Sequence, residues 1–272
     1  MKDDLKSGPD KGGLAETTRF LLILFAMALI LRSFVFAPFS IPSGSMLPKM
    51  MIGDYLFVSK WPYGYSRYSF PFGIIRFDGR FFDGAPERGD VIVFRYPGSN
   101  EDYVKRLVGL PGDQIQMRGG TLHINGAAVP KVRIADYLMP ITPNSPCRRV
   151  GPEPSKMLAD EAGRQVCAYP RFRETLPEGR SYEVIDQTGA GPGDDTPVIM
   201  VPEGHYFMMG DNRDDSMDSR FPLDLGGVGL LPAENLIGEA QMTFFSTDGS
   251  ADWVKPWTWF SAARWDRIGE TY

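Results

Sequence analysis

The sequence predicts a mostly β protein: an N-terminal transmembrane helix followed by a β-rich domain with a second β-subdomain inserted into it. Three observations carry this. One apolar run of membrane length lies near the N-terminus. Strand-like runs separated by turn residues recur through the rest of the chain. And 30 Gly and 23 Pro are spread over 272 residues without a period, which suits turn-rich β structure better than a helical bundle or a disordered tail. That length allows one large domain or two smaller ones. A net charge of -5 offers none of the basic footprint that nucleic-acid binding needs.

The anchor is the run 18–38. It spans roughly 20 residues, about 30 Å as a helix, which matches a bilayer core. Past Arg19 only Arg32 is charged, near the distal end, where it can snorkel to the headgroups. Pro38 is expected to stop the helix. The competing reading is a cleavable secretory signal cut after Val35-Phe36-Ala37. Pro38 directly follows that site and blocks cutting there, and the apolar run exceeds a typical signal core, so a retained anchor is preferred. Lys2, Lys6, Lys11 and Arg19 precede the run, and Lys49 is the first basic residue beyond Arg32. The positive-inside rule then leaves the tail 1–17 in the cytoplasm and everything after the anchor outside, on a single-pass protein of the inner (cytoplasmic) membrane.

Strand signals follow. Asp54–Ser59 is one; Asp90–Tyr96 is a second, closed by Pro97-Gly98; Tyr103–Leu110 is a third, closed by Pro111-Gly112-Asp113. Leu122-His123-Ile124, Asn125-Gly126 and Ala127-Ala128-Val129 carry the signature of a tight hairpin. From about Lys131 to Pro197 the pattern weakens, and Pro, Arg and acidic residues dominate. Strands return at Val198–Pro202 and His205–Met209. The expected organisation is a main domain over 39–117 and 198–250 with an insert at 118–197. The segment Trp61–Phe82 is rich in Tyr, Phe, Gly and Arg. It reads as an exposed aromatic hairpin or, more conservatively, as a covered core edge.

The two cysteines, Cys147 and Cys167, lie in the insert without a C-x-x-C spacing or a nearby histidine pair, so the pattern argues against a zinc site. They are two free thiols or, outside the cytoplasm, a loop-closing disulfide. At the other end, Trp253, Trp257, Trp259 and Trp265 fall within 251–272, interleaved with Lys and Arg. Such a segment suits a membrane interface, although a core-packing C-terminus fits it equally.

For chemistry, His123 and His205 are the only histidines. One sits in a hairpin strand and the other ahead of an apolar strand, and both read as structural. There is no H-E-x-x-H, phosphate loop or nucleotide fingerprint. No cofactor or metal is expected. A hydroxyl nucleophile with an unusual base remains. Phe39-Ser40-Ile41-Pro42-Ser43-Gly44-Ser45-Met46-Leu47-Pro48 places serines in a constrained turn, where one segment can supply both a nucleophile and N–H donors. Alternation along Tyr103–Gly109 puts Lys105 on the face of Tyr103 and Leu107. Loss of hydration there lowers a lysine's pKa, and service near neutral pH needs a drop of about three units, roughly 4 kcal/mol. The acidic run 210–220 suggests a calcium loop. However, counting from Asp211, Arg213 holds the third position and Ser216 the sixth, where a ligand and a glycine are needed. A rigid polar loop bracing a site is the better account.

Four segments occur in order: Ile41–Met46, Arg88–Phe94, Lys105–Asp113 and Gly210–Arg220. Together they resemble the motif set of the type I (leader) signal peptidase family over roughly 35–120 and 198–240, leaving the middle poorly matched. The resemblance implies a serine endopeptidase that removes signal peptides from exported preproteins, on a fold of coiled antiparallel sheets with an inserted β-domain. It implies Ser45 as nucleophile and Lys105 as general base, with the Ser43 hydroxyl and the Ser45 N–H as oxyanion donors. Ser216 would orient Lys105, and Asp218 would pair with Arg220 or Arg106 as scaffold. Phe39, Ile41, Pro42, Met46, Leu56, Tyr103 and Val104 would line shallow pockets for the small residues before the cut. The implied partners are signal peptides of secreted preproteins and the phospholipid membrane.

Two departures stand out. Asp215 occupies a position where the family often has Asn, adding a charge near the lysine, and Pro222–Gly227 looks longer than usual. Three other readings compete: a specialised relative processing a pilin or conjugation protein, a non-catalytic tethered binding domain, and a repressor-type autoprotease. The last lacks a DNA-binding region, because the apolar span stands in its place.

Overall fold

The computed structural model describes residues 11–70, 77–82, 84–151, 156–252 and 254–272. Helix α1 (Lys11–Phe34) contains the apolar window, and its 22 residues from Gly13 to Phe34 have a mean hydropathy of 2.0 with none of the window buried. It is long and apolar enough to cross a membrane. The helix stops at Phe34 rather than at Pro38, because residues 36–40 are claimed by a strand. The strands in chain order are β1 (Phe36–Ser40), β2 (Asp54–Ser59), β3 (Tyr65–Ser66), β4 (Arg80–Phe81), β5 (Val91–Arg95), β6 (Asp102–Gly109), β7 (Gln114–Arg118), β8 (Thr121–Ile124) and β9 (Ala127–Ala128). They continue as β10 (Lys131–Pro140), β11 (Met157–Ala159), β12 (Gln165–Thr175), β13 (Ser181–Ile185), β14 (Ile199–Met200), β15 (His205–Met209), β16 (Leu231–Pro232) and β17 (Leu236–Ser246). The fold is mostly β, as expected.

The main sheet runs β1-β2-β17-β5-β6-β15-β16. Its central strands are buried on both faces, which explains the unbroken apolar run Val91-Ile92-Val93-Phe94. One face packs Ile41, Met46, Leu56, Val91, Val93 and Val104 together, and the other packs Ile92, Phe94, Leu107, Met208 and Leu236. β1 pairs antiparallel with β2 from Phe36↔Ser59 to Ser40↔Tyr55. The aromatic segment wraps the helix exit: the Tyr65 hydroxyl donates to the Phe34 carbonyl, and Trp61 meets Phe36 edge-on at 4.9 Å. Tyr63 is core, whereas Trp61, Phe81 and Phe82 are exposed, so the two readings of this segment each hold in part. Residues 71–76 of it lie outside the described residues.

The hairpin at Asn125-Gly126 forms as its sequence demands, with φ of 53° and 81°, the left-handed pair of a tight type I′ turn. It belongs to a small sheet, β14-β7-β8-β9. The expected boundary at 117/118 therefore cuts through a hairpin. The chain leaves the main sheet at the turn 110–113 and returns at Val201, where Gly112 N–H donates to Val201 O and Val201 N–H donates to Asp113 O. The insert proper is β10-β12-β11 with β13 on β12. Cys147 and Cys167 form a disulfide, closing the alternative left open by the sequence. Cys167 packs with Met139, Tyr169 and Ile185 against Leu47 and Met51, from the connection between β1 and β2.

One buried ion pair locks the insert to the main domain. Arg213 reaches both carboxylate oxygens of Glu174 in β12, at 2.7 and 2.5 Å, and the Tyr182 hydroxyl donates to the same carboxylate. Both charged partners are inaccessible to water. Glu174→Ala strands a buried guanidinium, so denaturant unfolding should show a loss of about 3–5 kcal/mol. Adding Arg213→Met to that variant should recover much of it.

Candidate active site

Between β1 and β2 the chain makes a compact turn, with Leu47 N–H donating to Gly44 O and Met50 N–H to Met46 O. Met46 and Met50 sink into the core cluster beneath the sheet, and this fixes the turn so that Ser45 sits at its crest. From β6, Lys105 donates from Nζ to Ser45 Oγ at 2.6 Å. Lys105 is 4% exposed and Ser45 7%. The Ser43 hydroxyl lies 3.4 Å from Ser45 Oγ on the exposed side. Among the described residues the Ser45 backbone N–H has no acceptor. Asn212 grips the turn twice: its N–H donates to Ser45 O at 3.0 Å and its side-chain amide to Gly44 O at 3.0 Å. Asn212 was not among the residues singled out from sequence, although it lies inside the 210–220 motif.

Burial pulls the Lys105 ammonium down to about 8, opposed by the carboxylates of Asp218, Asp211 and Asp215. Those carboxylates are themselves committed. Asp218 accepts from Arg220 Nε and Nη2 at 2.9 Å each and from Gly210 N–H at 2.9 Å. Burial would raise its pKa, but Arg220 and these N–H groups hold it below the usual carboxylate range. Asp215 lies 3.5 Å from Arg148. Of the two partners offered for Asp218, only Arg220 is realised. Arg106 instead forks onto Asp211 at 2.8 and 2.6 Å and stacks its guanidinium 4.3 Å above Tyr182. Strand alternation is the reason, since Arg106 points to the face opposite Lys105.

The expected hydrogen bond between Ser216 and Lys105 is not formed. Ser216 Oγ is buried without a hydrogen-bond partner, because Lys105 Nζ is turned to Ser45. Ser216 and Ser45 nevertheless crowd one point, Gly210. A β-carbon there would lie 2.2 Å from Ser216 Oγ and 2.7 Å from Ser45 O, so only glycine fits this approach.

Phe39, Ile41, Met46, Leu56 and Val104 come together in one apolar cluster. Met46 and Leu56 are fully buried and form its floor, while Phe39 is half-buried and Pro42 exposed. Tyr103 departs from this group. It packs with the opposite cluster, stacks on Tyr96 at 4.6 Å, and carries Lys105 Nζ 5.8 Å from its ring centre. His123 and His205 lie in β8 and β15, each with Nδ1 against a backbone carbonyl two residues earlier. Three carboxylates, Asp186, Asp194 and Asp214, converge within 4.8 Å. Lys131 pairs with Asp186, Gly191 N–H donates to Asp194, and Gln187 N–H and Thr188 donate to Asp214.

A serine oxygen hydrogen-bonded to a buried amine of lowered pKa is equipped for proton transfer and acyl chemistry. Comparison with known proteins gives the family. The family model described as signal peptidase, peptidase S26, matches residues 14–245. The chain belongs to that family. It is 38% identical over 256 residues to signal peptidase I of Rickettsia canadensis, covering 91% of this chain and 85% of that protein. To signal peptidase I of Rickettsia prowazekii it is 39% identical over 233 residues, covering 82% and 77%. A crystal structure of a signal peptidase I from Enterococcus faecalis is 25% identical, with a TM-score of 0.28, covering 57% of this chain and 96% of that one. As a member of the S26 signal peptidases the chain is an enzyme, a peptidase.

The lowered lysine has a stability signature. The folded state sheds the Lys105 proton near pH 8, the unfolded chain only near its ordinary 10.5. Between these values the unfolded state binds more protons, so stability rises with pH through that window. Below pH 8 the full cost is present, at most ~3 kcal/mol. Lys105→Met should therefore be more stable than the wild type at pH 7 in urea unfolding, with the gap shrinking as pH rises from 8 to 10.

Proposed function

We propose that this peptidase removes N-terminal signal peptides from exported preproteins with Ser45 as nucleophile and Lys105 as general base. The observation that carries this reading is the 2.6 Å contact between Lys105 Nζ and Ser45 Oγ inside a water-poor site. Neutral Lys105 takes the Ser45 proton across that contact as Oγ attacks the scissile carbonyl. The Ser45 N–H and the Ser43 hydroxyl receive the charge that develops on the carbonyl oxygen. The lysine then hands its proton to the departing amine, leaving an acyl-enzyme on Ser45. A water activated by the same amine releases the signal peptide and restores the serine.

The remaining residues support these steps. Asp218 with Arg220, and Arg106 with Asp211, keep the surrounding charges paired so that the lysine can lose its proton. Ser216, buried and unpartnered beside Gly210, becomes available to orient the lysine when Ser45 is engaged. Phe39, Ile41 and Val104, over the floor of Met46 and Leu56, favour small apolar residues before the cut, with Pro42 at the rim. This matches the Ala-x-Ala pattern of secretory signals.

The membrane supplies the geometry. α1 crosses the inner membrane once, with 1–17 in the cytoplasm and the β-domain outside. Only about eight residues lie between Ala37 and Ser45, which keeps the nucleophile near the lipid surface where signal peptides emerge. Trp257, Trp259 and Trp265 are all exposed, Trp257 at 70%, so contact with phospholipid headgroups accounts for them better than core packing. Trp253 lies outside the described residues.

Cleavage of a preprotein carrying an Ala-x-Ala site, in detergent, tests this. The wild type should cut, and Ser45→Ala and Lys105→Ala should each lose roughly 1,000-fold or more in kcat/KM. The wild-type rate should rise with pH and level off above about 8, as the ammonium is lost. If Lys105→Ala cuts well, the base lies elsewhere.

A further inference from the structure

The turn that carries Ser45 is held from two sides. Asn212 grips its front through the carbonyls of Gly44 and Ser45. Its rear is gripped by the last residues of the chain. After helix α2 (Trp257–Ala262) the backbone returns across β17, with Arg264 N–H donating to Ser246 O and an isolated bridge between Met242 and Thr271. This brings Arg264 and Arg267 under residues 49–54. Arg267 Nη2 donates to Lys49 O at 2.9 Å, and its Nε and Nη2 hold Asp54 at 3.0 and 2.7 Å. Arg264 donates to the carbonyls of Ile52 and Thr247. Glu270 closes the frame, meeting Lys49 Nζ at 3.1 Å and Arg267 Nη1 at 3.0 Å.

Asp54 is the hub. It is fully buried and accepts from Met51 N–H at 2.8 Å and from the Ser246 hydroxyl at 2.7 Å, as well as from Arg267. A buried carboxylate with four donors on it is rigid, because moving any one exposes unpaired charge. The rigidity passes up the turn in two steps: Lys49 O is pinned by Arg267, and Met50 N–H is bonded to Met46 O, next to Ser45. Tyr272 packs against the same apolar cluster as Met46 and Met50.

We propose that Arg267 is a positioning residue for peptide cleavage, acting through Asp54 and the Lys49 carbonyl to hold Ser45 at hydrogen-bonding distance from Lys105. This rests on the Ser45–Lys105 reading. The physical reason is reach. A displacement of about 1 Å in the turn breaks a 2.6 Å contact, and misplacement on that scale costs on the order of 100-fold in rate. The contacts that prevent it come from residues more than 200 positions later. No local signal in 44–54 announces them.

The test uses the full chain in detergent. Arg267→Met keeps the packed stem and removes the donors. It should lower kcat by roughly 10–100-fold with KM within about threefold of wild type and the pH midpoint of the rate unmoved. Amide hydrogen exchange over 44–54 should accelerate, while β12 in the insert stays protected. Should Arg267→Met fail to fold by circular dichroism, Arg267→Gln, which keeps a donor within reach of Lys49 O, takes its place with about a tenfold loss expected. A folded variant with kcat within threefold of wild type, or with unchanged exchange over 44–54, overturns the proposal. Ser45→Ala separates the two readings. If it still cuts, the dyad itself is wrong; if it is inactive while Arg267→Met cuts normally, only the positioning role fails.

Discussion

A primary amine buried to 4% exposure with its nitrogen 2.6 Å from a serine oxygen sets the terms for everything around it. In water such an amine carries a proton almost always near neutral pH. Desolvation weakens that preference, bringing the pKa down to about 8, and the buried ammonium costs stability that the rest of the domain must offset. The surrounding charges are arranged accordingly. Asp218 is matched by Arg220, Asp211 by Arg106, and Glu174 by Arg213, all buried and all bidentate. Had Asp218 or Asp211 lost its guanidinium, its unshared charge would draw a proton back to Lys105. The ion pairs therefore act less as stabilising contacts, a role in which buried pairs are weak, than as a means of keeping the field at Lys105 low.

The same logic explains why three distant parts of the chain meet at one turn. The main sheet supplies Lys105 from β6, a strand enclosed on both faces. The 210–220 loop supplies Asn212 and the tight passage at Gly210. The insert contributes Ile185, whose N–H donates to Asp211 O, and the pair with Arg213. The C-terminal residues then close the underside. The insert, which the family match over residues 14–245 includes, is thus structurally continuous with the site through Glu174 and Tyr182. Its disulfide packs through Cys167 against Leu47 and Met51, just after Ser45.

Asp215 shows how distant segments meet around one charge. It adds a negative charge close to Lys105, which by itself raises the lysine's pKa. Arg148 lies 3.5 Å from it, next in sequence to disulfide-bonded Cys147. The insert thus supplies a counter-charge that partly screens Asp215 from the lysine, an arrangement between two segments far apart in sequence.

Local chemistry made much of this protein legible from sequence. The apolar window of α1, the runs that became β2, β5, β6 and β15, and the Asn125-Gly126 turn all follow from side-chain period, composition and motif. Each depends on neighbours a few residues apart, and there the physics is short-ranged. Partners across the fold were not legible. Whether Asp218 meets Arg220 or Arg106, that Tyr103 turns away from the apolar pocket, that Ser216 is left without a partner, that residues 36–40 join a sheet instead of extending a helix, and that Arg267 holds Asp54 are all matters of register and strand order. Hydrophobic pattern and residue chemistry determined which elements form and which side chains are reactive. Only the tertiary structure decided which charges face one another, because the energy of a buried charge depends on groups that the chain brings together from hundreds of residues away.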